Sequence, residues 1–210
     1  MGRPSSPHFS YVHVFEPGTD PAAPPLLLLH GTGGSEHDLL RLGRAISPGS
    51  ALLSPRGDVS EGGALRFFAR LAEGLFDPDE VIRRTSALGD FVTAAADHYQ
   101  LDPLRLIAVG FSNGANIAAT LLLLRPATLG GGILLRPMVV LDRPAPPGSL
   151  AGKRVLLCPG STDPLVPADH PGRLAALLRT GGAEVKITPI PASHGFTPGD
   201  VSAAQSWLRA

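Results

Sequence analysis

Short, solid runs of apolar residues alternate along this chain with longer stretches in which apolar positions recur every three or four residues. Leu26-Leu27-Leu28-Leu29 is apolar at every position, the pattern of a central parallel strand covered on both faces. Leu104–Val109, Gly132–Leu135 and Val155–Cys158 are also read as strands, and Phe9–Phe15, Ala51–Ser54 and Glu184–Thr188 add further ones. Between them lie helical periods. Leu88, Phe91, Val92 and Ala95 fall at i, i+3, i+4 and i+7 and predict an amphipathic helix over Asp79–Tyr99. Gly114–Leu124, Ala168–Thr180 and Gly199–Leu208 are the other helices, and Gly181-Gly182 supplies a left-handed stop for the second of these. Ser35 reads as an N-cap, with Asp38 three residues on and Leu39, Leu40 and Leu42 behind it. Two segments lack a clear period. Pro55–Pro78 predicts a long functional loop with a short helix around Leu65–Ala72, and Arg136–Leu150 is a proline-rich connection.

Strands alternating with helices of this length imply an α/β class with a mostly parallel sheet, right-handed crossovers and helices on both faces. The 210 residues suit one domain, 1–210, with no internal repeat. Hydrophobic residues make up 43% and charged residues 17%, a globular balance. Formal net charge is zero and no Lys/Arg run occurs, which argues against a nucleic-acid partner. No apolar run approaches the ~18 residues of a membrane span. Met1–Ser10 lacks the charged start and apolar stretch of a secretory signal, and a cytoplasmic setting is expected. The single cysteine, Cys158, cannot form an internal disulfide and reads as a buried small hydrophobe.

Against this background one segment carries chemistry. Gly110-Phe111-Ser112-Asn113-Gly114 is a G-x-S-x-G placed between an apolar strand and a small-residue helix. The strand-to-helix turn is so tight that side chains two residues either side of the serine would collide, and glycine removes the collision. Ser112 is then exposed at the carboxyl end of the sheet, above a helix N-terminus that favours developing negative charge. A serine hydroxyl is a weak nucleophile and needs a base. His194, in the loop Ala192–Phe196 between the last strand and the last helix, is the candidate. His30 ends a strand before the turn Gly31–Gly34, where it orders that loop; His8, His13, His37, His98 and His170 lack a matching partner. Asp163, in the loop Pro159–Pro164, is the acid that would orient the base, and the order Ser112, Asp163, His194 is that of the α/β-hydrolase fold. Asp142, Asp169 and Asp200 compete less well: the first lies in the proline-rich connection, the others near helix starts. Acyl transfer needs N–H donors for an oxyanion, and Asn113 and Thr32 are placed to supply them. The Gly31–Gly34 spacing does not match a dinucleotide-binding turn. No cofactor is implied, and no His and carboxylate cluster has zinc-ligand spacing, so no metal is expected.

Several segments together carry a family resemblance: His30-Gly31-Thr32-Gly33-Gly34-Ser35-Glu36, Leu53-Ser54-Pro55-Arg56-Gly57, Arg66-Phe67-Phe68, Gly110–Asn116 and Gly160–Pro164. From Leu26 to Leu208 the chain resembles the small carboxylesterases of the phospholipase/carboxylesterase family. The nearest branch is that of the MhqD-like hydrolases, related to dienelactone hydrolases and acyl-protein thioesterases. The resemblance implies an α/β-hydrolase fold, a Ser112–Asp163–His194 triad and an oxyanion hole from Thr32 and Asn113, and the insertion between Leu135 and Val155 is too short and too proline-rich for a lid domain. It also implies a small or short-chain ester as substrate and often a homodimer. Phe111 stands where that branch often has Tyr, and Ser193 where relatives usually have Gly. Phe67 and Phe68 occupy the place where relatives line the acyl pocket, with Arg56 or Glu36 at its rim; equally, both rings fit a core and Arg56 an ion pair with Glu36 or Asp58. A thioesterase or lysophospholipase would share this chemistry, and a ligand-binding protein would share the scaffold without it.

Overall fold

Leu26 to Leu29 form β2, and their side chains divide between the two faces of a sheet. Leu27 and Leu29 enter one apolar cluster, Leu26 and Leu28 the other, and all four are fully buried. The alternation is the two-residue period of a strand, with apolar residues on both faces because both are covered. This computed structural model describes residues 9–210; His8 and most of Met1–Ser10 lie outside them.

Seven strands make the sheet: β1 (His13–Glu16), β2 (Leu26–Leu29), β3 (Leu52–Pro55), β6 (Ile107–Phe111), β7 (Gly131–Leu135), β8 (Arg154–Cys158) and β9 (Glu184–Ile187). A separate hairpin pairs β4 (Val59–Glu61) with β5 (Ala64–Arg66). The order across the main sheet is β1-β3-β2-β6-β7-β8-β9, and every pair is parallel except β1 with β3. One face packs on α2 (Pro78–Tyr99), α3 (Asn113–Leu124) and α4 (His170–Thr180), the other on α1 (Leu40–Ile46) and α5 (Pro198–Arg209). This is the expected α/β arrangement.

The helices start where their chemistry allows. Asp77 caps α2 by accepting the Asp79 N–H, Pro78 occupies the first turn, and Gln100 closes the helix at φ 56°. Beyond α4, Gly182 takes the left-handed conformation at φ 95°. The α1 start differs from the expectation at Ser35. The Ser35 hydroxyl donates to Asp38 at 2.7 Å and accepts the His37 N–H at 3.3 Å, closing a turn ahead of the helix. The strand expected over Phe9–Phe15 is shorter, because Phe9 and Tyr11 turn their rings onto Phe91 of α2 at 6.0 and 5.2 Å.

The largest correction concerns residues 55–78. No helix forms around Leu65–Ala72; the β4–β5 hairpin and a turn bridged between Ala72 and Leu75 occupy the segment. Gly62 and Gly63, both at positive φ (57° and 89°), make the tight turn that the hairpin requires. Cys158 is buried at the end of β8, and burial pushes its thiol up to about 12. A disulfide reagent such as DTNB at pH 8 is therefore expected to react only as the protein unfolds. Stoichiometric labelling of the native protein within seconds would contradict that burial.

Candidate active site

The turn from β6 into α3 is held by two close approaches. A side chain on Gly110 would come within 2.5 Å of the Gly114 carbonyl oxygen, and one on Gly114 within 1.9 Å of that of Leu29. Between them Ser112 adopts φ 52° and ψ −115°, a strained conformation for a residue with a side chain. Its own N–H donates to the Leu135 carbonyl at 2.9 Å and its carbonyl accepts from Asn116 at 2.9 Å, so the strain is fixed by strand and helix alike.

Two other loops bring their side chains to this turn. His194 Nε2 lies 2.8 Å from Ser112 Oγ, and His194 Nδ1 lies 2.8 Å from Asp163 Oδ2. The Asp163 side chain is almost wholly buried, and its other oxygen accepts the Leu165 N–H at 2.9 Å. The imidazole is a quarter exposed, at the edge of a cleft of about 220 Å³. Thr32 and Asn113 line the same cleft, and among the described residues neither backbone N–H is spent on a hydrogen bond. Serine, imidazole and carboxylate in that order can pass a proton away from Ser112, in a cleft lined by two residues whose N–H groups are unspent.

The other sequence candidates sit elsewhere. Phe67 and Phe68 are fully buried and do not wall the cleft. Phe67 packs on His30 at 4.8 Å and Phe68 on Phe76 at 5.5 Å; it is Phe76 that reaches the cleft. Phe67 acts instead through its backbone, donating to Asn113 Oδ1 at 2.8 Å. Arg56 and Glu36 pair with each other at 3.6 Å, away from the cleft. The reason lies in the sheet order. Arg56 follows β3, two places from β6, which is about 10 Å at the usual strand spacing. Three arginines line the cleft: Arg66 at the end of the hairpin, Arg70 just after it, and Arg136 beyond β7. His30 orders its own turn as expected, donating Nδ1–H to the Gly31 carbonyl at 2.7 Å, and ties it to the loop after β3 by accepting the Gly57 N–H at 2.9 Å; burial lowers its pKa, which favours the neutral ring.

Arg136 is the residue that pattern reading misses. It follows β7 at φ 55°, is buried, and spends all five of its N–H donors. Two go to Asp200 (2.7 and 3.0 Å), one to Cys158 O (3.0 Å), and two to Ser193 O (3.0 Å) and Gly195 O (2.7 Å). The last two carbonyls flank His194. Asp200 also closes a capping box with Thr197 at the start of α5. An arginine inside a proline-rich run and an aspartate in a helix's first turn, 64 residues apart, give no signal of this pairing.

Asp142 and Asp169 both pair with Arg173, at 2.8 and 3.4 Å, and His170 Nδ1 accepts the Val139 N–H at 3.1 Å. Among the described residues, no group of three His, Cys, Asp or Glu side chains could hold a metal ion, and no helix is long and apolar enough to cross a membrane.

Comparison with known proteins places the chain in a family. The chain is 44% identical over 197 residues to MhqD of Bacillus subtilis (strain 168), named as a hydrolase, covering 94% of this chain and 97% of that protein. The Bacillus cereus carboxylesterase superposes with a TM-score of 0.90 at 42% identity, over 95% of this chain and 94% of that one. YahD, solved with malic acid, superposes at 0.89 and 33% identity, over 95% and 98%. No family model matches the chain.

Proposed function

Because the chain belongs to the carboxylesterase family of α/β-hydrolases that includes MhqD, we propose that it cleaves small carboxylic esters through an acyl-enzyme on Ser112. The observation that carries the reading is the unbroken hydrogen-bonded line from Ser112 through His194 to Asp163, both links at 2.8 Å. Ser112 Oγ attacks the acyl carbonyl as its proton passes to His194 Nε2. Asp163 holds Nδ1–H and stabilises the imidazolium. The carbonyl oxygen, now an oxyanion, receives the backbone N–H groups of Thr32 and Asn113. The C–O bond to the alcohol then breaks, and the alcohol leaves with the proton from His194. Water, deprotonated by the same imidazole, attacks the acyl-enzyme and returns the proton to Ser112 as the acid departs.

The cleft's volume, about 220 Å³, lies below the ~300–1,000 Å³ of drug-sized ligand sites and favours a short acyl group. The connection between β7 and β8 forms neither helix nor strand, which supports an uncovered site reached directly from solvent. A fluorophosphonate followed by peptide mass spectrometry tests the chemistry: one adduct per chain, on Ser112, is expected. The 4-nitrophenyl ester series from acetate to decanoate tests the size, with kcat/KM falling as the chain lengthens. An unlabelled protein that leaves every ester intact would sink the reading, and a rate rising towards decanoate would sink the size assignment.

A further inference from the structure

The reaction cleft carries more hydrogen-bond donors than a plain alkyl ester can use. Asn113 and Asn116, three residues apart, share one face of the first turn of α3 and both line the cleft. Each has its amide orientation fixed in the same way. Asn113 Oδ1 accepts the Phe67 N–H and Asn116 Oδ1 accepts the Met138 N–H, each at 2.8 Å. The carbonyl ends are thereby spent, and the NH₂ ends are left over. Asn113 is 2% exposed, and its Nδ2 is buried without a hydrogen-bond partner.

Beside them lies Arg66, whose side chain is 5% exposed. It gives Nε–H to the Phe68 carbonyl at 3.1 Å and one Nη1–H to Thr32 Oγ1 at 2.7 Å, both neutral acceptors. Among the described residues its Nη2 makes no hydrogen bond. The nearest carboxylate, Glu61, stands 3.4 Å from Nε and is shared with Arg70, whose Nε it accepts at 2.7 Å. Glu73, on the cleft wall, is also taken by Arg70. Burial pushes the Arg66 guanidinium below its usual pKa, and Glu61, whose Oε2 faces it, opposes that shift only in part. Arg136 has no donor to spare.

From this convergence we propose that the preferred substrate is a small ester bearing a second, free carboxylate, bound by Arg66 with the side-chain amides of Asn113 and Asn116. The inference rests on the esterase reading above and adds the substrate class to it. The carboxylate meets Nη2 of Arg66 and the two amide NH₂ groups, while the ester carbonyl sits over Ser112. An anion there satisfies donors that a hydrocarbon chain would leave buried and unpaired.

Two methyl esters of matched shape test this. Monomethyl succinate carries a carboxylate where methyl 4-methylpentanoate carries an isopropyl group, and both are followed by proton release in a pH-stat. The wild type is expected to favour monomethyl succinate in kcat/KM by about 10- to 100-fold, the worth of hydrogen bonds to a charged group. Arg66→Met should bring that ratio close to one, and Arg66→Lys should keep part of it. Asn116→Asp, which still accepts the Met138 N–H but adds a negative charge, should lower the ratio without depending on Arg66. Succinate titrated calorimetrically into Ser112→Ala gives a readout free of turnover, with binding expected and lost on adding Arg66→Met. A wild-type ratio at or below one, a ratio unchanged in Arg66→Met and Asn116→Asp, or no succinate binding would overturn the proposal. Fluorophosphonate labelling separates the two claims: a labelled enzyme without the preference overturns the substrate class alone, and an unlabelled one overturns the esterase reading.

Discussion

Ser112→Ala is expected to lower kcat for 4-nitrophenyl acetate by about 10⁶-fold, the loss seen when a triad nucleophile is removed. His194→Ala should cost a similar factor, and the double variant little more, because the two side chains act as one unit over their 2.8 Å contact. What survives should be the contribution proposed for the Thr32 and Asn113 N–H groups together with substrate binding, about 10³- to 10⁴-fold over water in comparable sites. Stability should move the other way. Ser112 is held at φ 52°, a strain of about 1–3 kcal/mol that glycine would escape. Ser112→Gly is therefore expected to melt higher than wild type and to be as inactive as Ser112→Ala, which keeps the strain. Kinetics beside a thermal melt of each variant checks both halves. Wild-type turnover in Ser112→Ala would remove Ser112 from the mechanism; an unchanged melt in Ser112→Gly would show that the turn stores no strain.

The second large effect is expected at Arg136 and Asp200, whose side chains are both fully inaccessible to solvent. Removing one member of a buried pair leaves an uncompensated charge and costs about 3–5 kcal/mol. For a chain of 210 residues that is a fall in melting temperature of roughly 6–20 °C. Arg136→Met also frees the Ser193 and Gly195 carbonyls, so the His194 loop loses its anchor on both sides. A displacement of ~1 Å at a catalytic group can cost about 10²-fold in rate. Arg136→Met is thus expected to lower kcat well before it unfolds the protein, with fluorophosphonate labelling slowed in parallel. The pair Arg136→Met with Asp200→Leu should be less destabilised than Arg136→Met alone, since no lone charge remains. Wild-type melting of Arg136→Met would show that the pair contributes nothing net to stability. A normal kcat in a cooler-melting variant would show that the anchor does not position His194.

The sheet and its helices were legible because their signals are local. Leu26–Leu29 announces a strand covered on both sides by composition alone, and Leu88, Phe91, Val92 and Ala95 announce one buried helix face. The Ser112 turn was equally plain, since a steric demand two residues wide leaves glycine on both flanks. Asp163 and His194 could be picked out because each lies in the loop that follows a recognisable strand. What stayed hidden depends on contacts between distant segments. Phe67 and Phe68 look alike as pocket walls or as core, and only the hairpin's placement decides that they are core and that Phe76 and Arg66 face the cleft. Gly62-Gly63 between two short runs was the available sign of that hairpin. For Arg136 no local sign exists. Its partners Ser193, Gly195 and Asp200 are 57 to 64 residues away, and solitary arginines are ordinarily found at surfaces.

The small β4–β5 hairpin pairs with no strand of the main sheet, yet its segment delivers Arg66, Arg70, Glu73 and Phe76 to the cleft. Ser112, Asp163 and His194 come from a different part of the architecture, the carboxyl ends of β6, β8 and β9. The insert between residues 55 and 78 therefore supplies one wall of the cleft, while the loops and helix around Ser112 supply the rest. Because the insert also bonds to the Thr32–Gly33 loop and to Asn113, its exchange would alter which molecules are accepted and would have to restore those three contacts, a constraint on both natural divergence and loop grafting.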